Sequence, residues 1–279
     1  MTVLLLLGVC AGEAPRGRTG VPESAVLDLA EQLLVRDCMK AHGFQVWLIR
    51  RDELPVDSLR AFPYAVTDLN WAKRHGYGGD QRAEAAKLAA ADPNKRYFDS
   101  LSPSDKARAR AALNGAAPVG LEAELPLGGT MRRSDQGCVS QAERRLYGDL
   151  RGWYRAKKVV EQLTPLRVGR VMKDPRFGRS VARWSACMRA HGHPYADPAE
   201  ARQAALPPNG ATDRAKEIAV ATAEAACAAE SGLTATIHRL DRQYEREISA
   251  RYRPFLDAKR ALELAALPRA REIAGDRQP

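Results

Sequence analysis

Two segments of this 279-residue chain, "DCMKAHGF" at Asp37–Phe44 and "ACMRAHGH" at Ala186–His193, write Cys-Met-basic-Ala-His-Gly twice, about 150 residues apart. Each closes a stretch with helical periodicity. In "VPESAVLDLAEQLLVRDCMKAHG", Leu27, Ala30, Leu34, Cys38 and Ala41 fall on one face; in "DPRFGRSVARWSACMRAHG", Phe177, Val181, Trp184 and Met188 do the same. Cysteine and histidine four positions apart are neighbours on a helix. The histidine falls in the last turn, where free carbonyls and the negative end of the dipole favour a donor. Glycine next takes the left-handed conformation that ends a helix. The pattern therefore makes His42 and His191 helix caps, with Gly43 and Gly192 as stops. Cys38 and Cys187 become disulfide partners.

The remaining cysteines fit a duplicated plan. Cys138 opens the helical stretch "CVSQAERRLYGDL", and Cys227 lies towards the end of "RAKEIAVATAEAACAAESGL". The chain reads as two unequal repeats, 21–150 and 151–279, each a motif helix, a connector and a second cysteine-bearing helix. The connectors run to about 100 and about 40 residues. Four cysteines allow three connectivities. Pairing within each repeat, Cys38 with Cys138 and Cys187 with Cys227, is the most economical; the residues alone leave the others open.

An all-α fold is expected, with long irregular connectors. Alanine, leucine and arginine dominate, aromatics make up 6 % of the chain, and runs of β-branched residues are scarce. "FQVWLI" reads as a short strand or extended segment packing Trp47. A short helix is expected around Leu69–His75, and two more in "AEAAKLAAADPNKRYFDSLSPSDKARARAALNG", the first broken by Pro93 and the second opened by Ser102 and Pro103. The stretch 116–137 shows no convincing period, and none is assigned between Pro165 and Asp174. The stripe from Ile237 to Leu262 is a helix or helix pair with a kink expected at Pro254.

The first 20 residues, "MTVLLLLGVCAGEAPRGRTG", form a signal-like segment and spacer. The apolar run Val3–Val9 is too short to span a bilayer, and Cys10 closes it as a lipid-anchor cysteine would. Lipidation of Cys10 would leave an even set of four for disulfides, as befits an exported protein. The formal charge of +10 suits a membrane surface or an anionic envelope partner, but no pattern supports nucleic-acid binding.

No nucleophile elbow, metalloprotease helix or phosphate loop is present, so no catalytic residue and no cofactor is expected. Glu224 and Glu230 read as solvated ion-pair members. The leading expectation is a non-enzymatic binding or scaffold protein of the envelope. Two alternatives stand beside it: an envelope enzyme with dispersed site residues, and a zinc module joining both Cys/His pairs, Cys38 with His42 and Cys187 with His191. The basic stripe from Leu233 to Leu267 is a candidate contact surface, unless it covers the protein's own core.

"CMRAHGHPYADP" followed by "AACAAESGL" resembles a motif of exported proteins and lipoproteins of high-GC actinobacteria. The match falls on Cys187, Met188, Arg189, His191, Gly192, Asp197, Pro198 and Cys227. The blocks "CMKAHGF", "FPYAVTDLNWAKRHGYG", "RYFDSLSP", "ALNG" and "GCVSQAERRLYG" are similar to recurring blocks of larger members. The resemblance covers most of the chain after the spacer and carries no assigned chemistry. It implies export, anchoring at the outer face of the cytoplasmic membrane, and disulfides within each repeat. The departure lies at the N-terminus: no basic residue precedes the apolar run, and Val9 stands where a small residue is usual. Intact mass and a non-reducing peptide map of the natively exported protein test these expectations. The expected result is a lipid mass on Cys10 and linked peptides; an unmodified Cys10 would remove the anchor.

Overall fold

A computed structural model describes residues 22–49, 62–207 and 213–275. The signal-like segment and Cys10 lie outside them. The first half contains α1 (Glu23–Ala41), α2 (Leu69–His75), α3 (Gly79–Ala91), α4 (Pro93–Ser100), α5 (Pro103–Asn114), β1 (Gly120–Glu124), β2 (Thr130–Ser134) and α6 (Cys138–Tyr147). The second half contains α7 (Leu150–Glu161), α8 (Leu163–Lys173), α9 (Pro175–Ala190), α10 (Pro198–Ala205), α11 (Arg214–Glu230), α12 (Leu233–Arg251) and α13 (Arg253–Gly275).

The fold is mostly helical, as expected, and local chemistry sets its boundaries. Asp68, Asp92, Ser102, Asp149, Asp174, Asp197 and Asp213 each cap a helix N-terminus through a side-chain oxygen. Pro93, Pro103, Pro175 and Pro198 sit in first turns, where no N–H is needed. The stripe expected to kink at Pro254 instead breaks at Tyr252, with Pro254 in the first turn of α13. Two helices appear where none was assigned. Pro165 lies inside the opening turn of α8, and Asp197-Pro198 starts α10 within the Pro-rich connection.

The stretch 116–137 also departs from the helical expectation. It holds an antiparallel hairpin in which Leu121 faces Arg133 and Ala123 faces Met131. Gly128 and Gly129, with φ of +97° and +82°, supply the turn conformation that other residues resist. Leu121 and Ala123 are buried against Leu150 and Tyr154 of α7. Only these two apolar residues alternate within β1, too few for a periodic signal.

Contacts cross the boundary expected at residue 150 in both directions. The apolar face of α1 (Leu27, Ala30, Leu34) packs with α6, α7 and the far C-terminal Ala266, Leu267 and Ala270 of α13. Arg269 of α13 donates from Nε and Nη2 to the Leu146 carbonyl at 3.0 and 2.7 Å, near the end of α6. Conversely, residues 62–79 of the first half lie on α11 and α12.

Two fully buried carboxylates of α11, Glu217 and Glu224, fix that second crossing. They are seven positions apart and so share a face. Glu217 Oε1 accepts the backbone N–H of Tyr77 at 2.9 Å and of Gly79 at 2.8 Å, while Arg214 donates to Oε2 at 3.1 Å. The loop approaches so closely that a Cβ on Gly79 would lie 2.5 Å from Glu217 Oε2. Glu224 accepts from Val66 N–H at 2.6 Å and from the Tyr77 hydroxyl at 2.5 Å. Tyr64 adds a hydrogen bond to Asp241 at 2.5 Å, and Arg167 pairs with the same carboxylate. Glu224 is therefore no solvated ion-pair member: its position on α11 faces the docked loop, not water.

Burial raises the Glu224 pKa from 4.5 to about 7, against the lowering effects of Tyr77, Val66 N–H and Arg202. The folded state thus holds this proton more tightly than the unfolded chain. Stability contributed through Glu224 is full below pH 4.5 and falls as pH rises towards about 7. The full loss is about 3 kcal/mol. Urea unfolding at successive pH values checks this. Glu224→Gln, which keeps an acceptor for Val66, should flatten the decline; an unchanged slope would assign it to another group.

Candidate functional site

The twin motif builds the same local object twice. At the end of α1, Gly43 N–H bonds the Lys40 carbonyl at 3.0 Å, and Phe44 N–H bonds the Met39 carbonyl at 2.9 Å. At the end of α9, Gly192 bonds Arg189 at 3.1 Å and His193 bonds Met188 at 2.9 Å. This nested pair of bonds is the Schellman arrangement. His42 and His191 are the C-cap residues, and Gly43 and Gly192 have φ of +83° and +80°. The His191 ring Nδ1 lies 2.9 Å from the Cys187 carbonyl. A carbonyl only accepts, so this nitrogen carries the proton.

One turn back, disulfides join Cys38 to Cys138 and Cys187 to Cys227, with Cα separations of 5.5 and 5.6 Å. In each pair the motif cysteine is half-buried and its partner fully buried. The residue three positions after the second cysteine has the same place in both units. Gln141 Oε1 is 3.6 Å from Cys38 Sγ, and Glu230 Oε2 is 3.6 Å from Cys187 Sγ.

This arrangement replaces the alternative of one zinc site shared by both motifs. The donors fall into two separate triads, Cys38–His42–Cys138 and Cys187–His191–Cys227, each within 4.8 Å. With both sulfurs of each triad in a disulfide, neither offers a thiolate to a metal.

The first unit borders a cavity of about 430 Å³. Val35 and Met39 of α1, Phe44 and Val46 of the following segment, and Phe98 and Leu113 give it apolar walls. Trp47 and Ile49 stand at the rim, 39 % and 51 % exposed, and Trp47 meets Tyr97 edge-on at 5.5 Å. The wall 44–49 is extended but lies in no sheet. Side-chain amides satisfy its backbone instead. Asn94 bonds both N–H and C=O of Trp47, at 2.8 and 2.9 Å, and Gln32 does the same for Ile49, at 2.7 and 3.2 Å.

Asp28, Glu31 and Gln32 of α1 add polar groups to the lining, and Gln32 donates to Asp28 at 2.8 Å. Burial raises the Glu31 pKa, with Glu143 and Asp28 adding to the rise and Lys157 and Arg133 opposing it. Arg110 lies over the Phe98 ring at 5.1 Å. Behind Glu31 sits the fully buried Glu143, paired with Arg133 of β2 and Lys157 of α7. Burial alone would raise its pKa, but those two cations outweigh it and hold the carboxylate ionised.

No family model, curated protein or solved structure matches the chain. The geometry of the molecule is therefore the ground for its function. The sequence marked the cysteines, the capping histidines and the glycines that the structure brings together. It did not mark the cavity. The available signal was "FQVWLI", an extended run apolar on both faces with no neighbouring strand to pair with. The basic stripe from Leu233 to Leu267 has its own core to cover: Leu233, Ile237, Leu240 and Ile248 are buried.

The bridges close loops of 100 and 40 residues. Loop-closure entropy gives about 5 and about 4 kcal/mol respectively. Replacing Cys187 and Cys227 together with serine should lower the unfolding free energy by up to the smaller figure. Gly192→Ala, which strains a positive φ, should cost about 1 kcal/mol. Urea denaturation measures both; a silent serine pair would show that packing alone defines the unit.

Proposed function

We propose that the protein is an exported binding protein that takes up an amphipathic small molecule in the cavity between α1, the 44–49 segment, α4 and α5. The observation that carries this reading is the cavity itself. Its volume of about 430 Å³ falls in the range of small-molecule sites, and its walls are mostly apolar. One wall is fixed by the disulfide at Cys38 and by the amide grips of Asn94 and Gln32, so the site is preformed. The described lining residues include no Ser, Cys or His, which favours binding over nucleophilic catalysis. The carboxylates Asp28 and Glu31 against a single Arg110 suit a ligand with an amine or hydroxyl head and an apolar body.

Location outside the cytoplasm, with lipid on Cys10 as the anchor, belongs to the same proposal. Two disulfides and the actinobacterial resemblance support it. Among the described residues no helix is long and apolar enough to cross a membrane.

Nile red fluorescence tests the cavity. The dye should bind, and decylamine should displace it more effectively than decanoate. Leu113→Trp, which adds bulk inside the cavity, should weaken dye binding by about tenfold. Near-ultraviolet circular dichroism would report whether that variant stays folded. Absence of dye binding to the unaltered protein would overturn the reading.

A further inference from the structure

A second concave site lies at the seam between the hairpin and α7. The cleft, of about 290 Å³, is lined by Pro118, Val119, Gly120 and Leu121 of the strand entry, together with Glu122, Arg132, Arg151 and Arg155. Three of its four charged groups are guanidinium groups, drawn from two different elements. Arg132 stands opposite Glu122 in the hairpin register. Their closest atoms are 3.7 Å apart, beyond hydrogen-bond length, and the Arg132 side chain remains 62 % exposed.

Arg151 and Arg155 are one turn apart on α7, both exposed, and no ion pair or hydrogen bond to either side chain is found among the described residues. Like charges at this spacing repel. Some other arginines of the second half are engaged, Arg167 with Asp241 and Glu245, Arg176 with Asp174, and Arg214 with Glu217, so what sets Arg151 and Arg155 apart is that they share one cleft with Arg132. Two further acids, Asp135 and Asp149, adjoin Arg151 with Arg144 in a neighbouring recess. Both are occupied, Asp149 by the Gly152 N–H at 2.9 Å and Asp135 by the Gln136 amide at 3.0 Å.

We propose that this cleft binds a phosphate group, held by Arg132, Arg151 and Arg155. Planar guanidinium forks match phosphate oxygens two at a time, which a lysine ammonium cannot do. The fixed parts of the site are rigid. Leu121 and Ala123 anchor the hairpin on Leu150 and Tyr154, so the backbone carrying Arg132 keeps its distance from α7. The described residues of the cleft lining include no aromatic side chain on which a base could stack, which separates it from a single-stranded nucleic-acid groove. The phosphate belongs either to a lipid headgroup or to a soluble phosphate compound, and the recognition chemistry is the same.

Two probes separate those sources: inorganic pyrophosphate, followed by calorimetry, and vesicles of phosphatidylglycerol with phosphatidylcholine, followed by sedimentation. The full chain should bind at least one, more weakly as salt rises. Binding of vesicles alone assigns a headgroup; binding of pyrophosphate assigns a soluble phosphate. The double variant Arg151→Glu/Arg155→Glu should weaken binding by about tenfold or more. Arg242→Glu/Arg246→Glu, an equal change of charge at two exposed positions of α12, should leave it unaltered. Arg155→Gln, which removes one fork without reversing charge, should give an intermediate loss if the double variant misfolds. Equal losses from both charge reversals would show that net charge alone attracts the probes. That result, or no binding of either probe, overturns the site.

Discussion

A disulfide one turn from the end of α1, and a glycine of positive φ just after it, together decide where the next stretch of chain can go. The bridge holds the last turn against α6, and the glycine reverses the chain so that Phe44 returns over Met39. The extended segment then leaves in one direction only, past α4 and α5, and becomes the wall of the apolar cavity. At α9 the same pair of constraints sends the chain to His193 and on to α10, in a region filled by Trp184, Met188 and Ala201. One local device, used twice, thus yields an open cavity in one place and a packed core in the other. The difference lies in the residues after the glycine: an extended run without a sheet partner in the first case, a short helix in the second.

Buried carboxyl groups set the remaining geometry. Glu143, Glu217 and Glu224 are each fully buried; Glu143 ties neighbouring β2, α6 and α7 together, while Glu217 and Glu224 join segments far apart in sequence. An unpaired carboxylate at such a depth would be severely destabilising. Each therefore makes demands on its surroundings that an apolar residue would not. Glu217 requires backbone N–H groups from a loop with glycine at close approach, and Glu143 requires both Arg133 and Lys157. Apolar clusters supply much of the stabilisation, while these carboxylates select which loop docks where.

What was legible in the sequence was whatever local chemistry determines. The ends of α1 and α9 follow from Cys-Met-basic-Ala-His-Gly, and the start of α5 follows from the Ser102 cap with Pro103 in the first turn. The hairpin was hidden because its alternation spans only Leu121 and Ala123, and its register depends on packing against α7. Glu224 was misread because a glutamate among alanines looks solvent-facing; only the docking of Val66 and Tyr77, some 150 residues earlier, buries it. The cavity and the arginine cleft were invisible for the same reason. The cavity is assembled from α1 with α4 and α5, which are distant from it in the chain, and the arginine cleft exists only because the hairpin packs against α7.

The exchange of segments between halves governs the order in which the molecule can assemble. The apolar face of α1 is completed by α13, more than 200 residues later. A chain emerging from its N-terminus first therefore carries that face uncovered until α13 has been made. Closing so long a loop is a late and slow event. Until it happens, the cluster around Met39, Phe44, Ala109 and Cys138 can form, but the face of Leu27, Ala30 and Leu34 stays open. The helix made after all the others described thus acts as the closing panel of the half that was made first, and its arrival is the moment at which that half can shut.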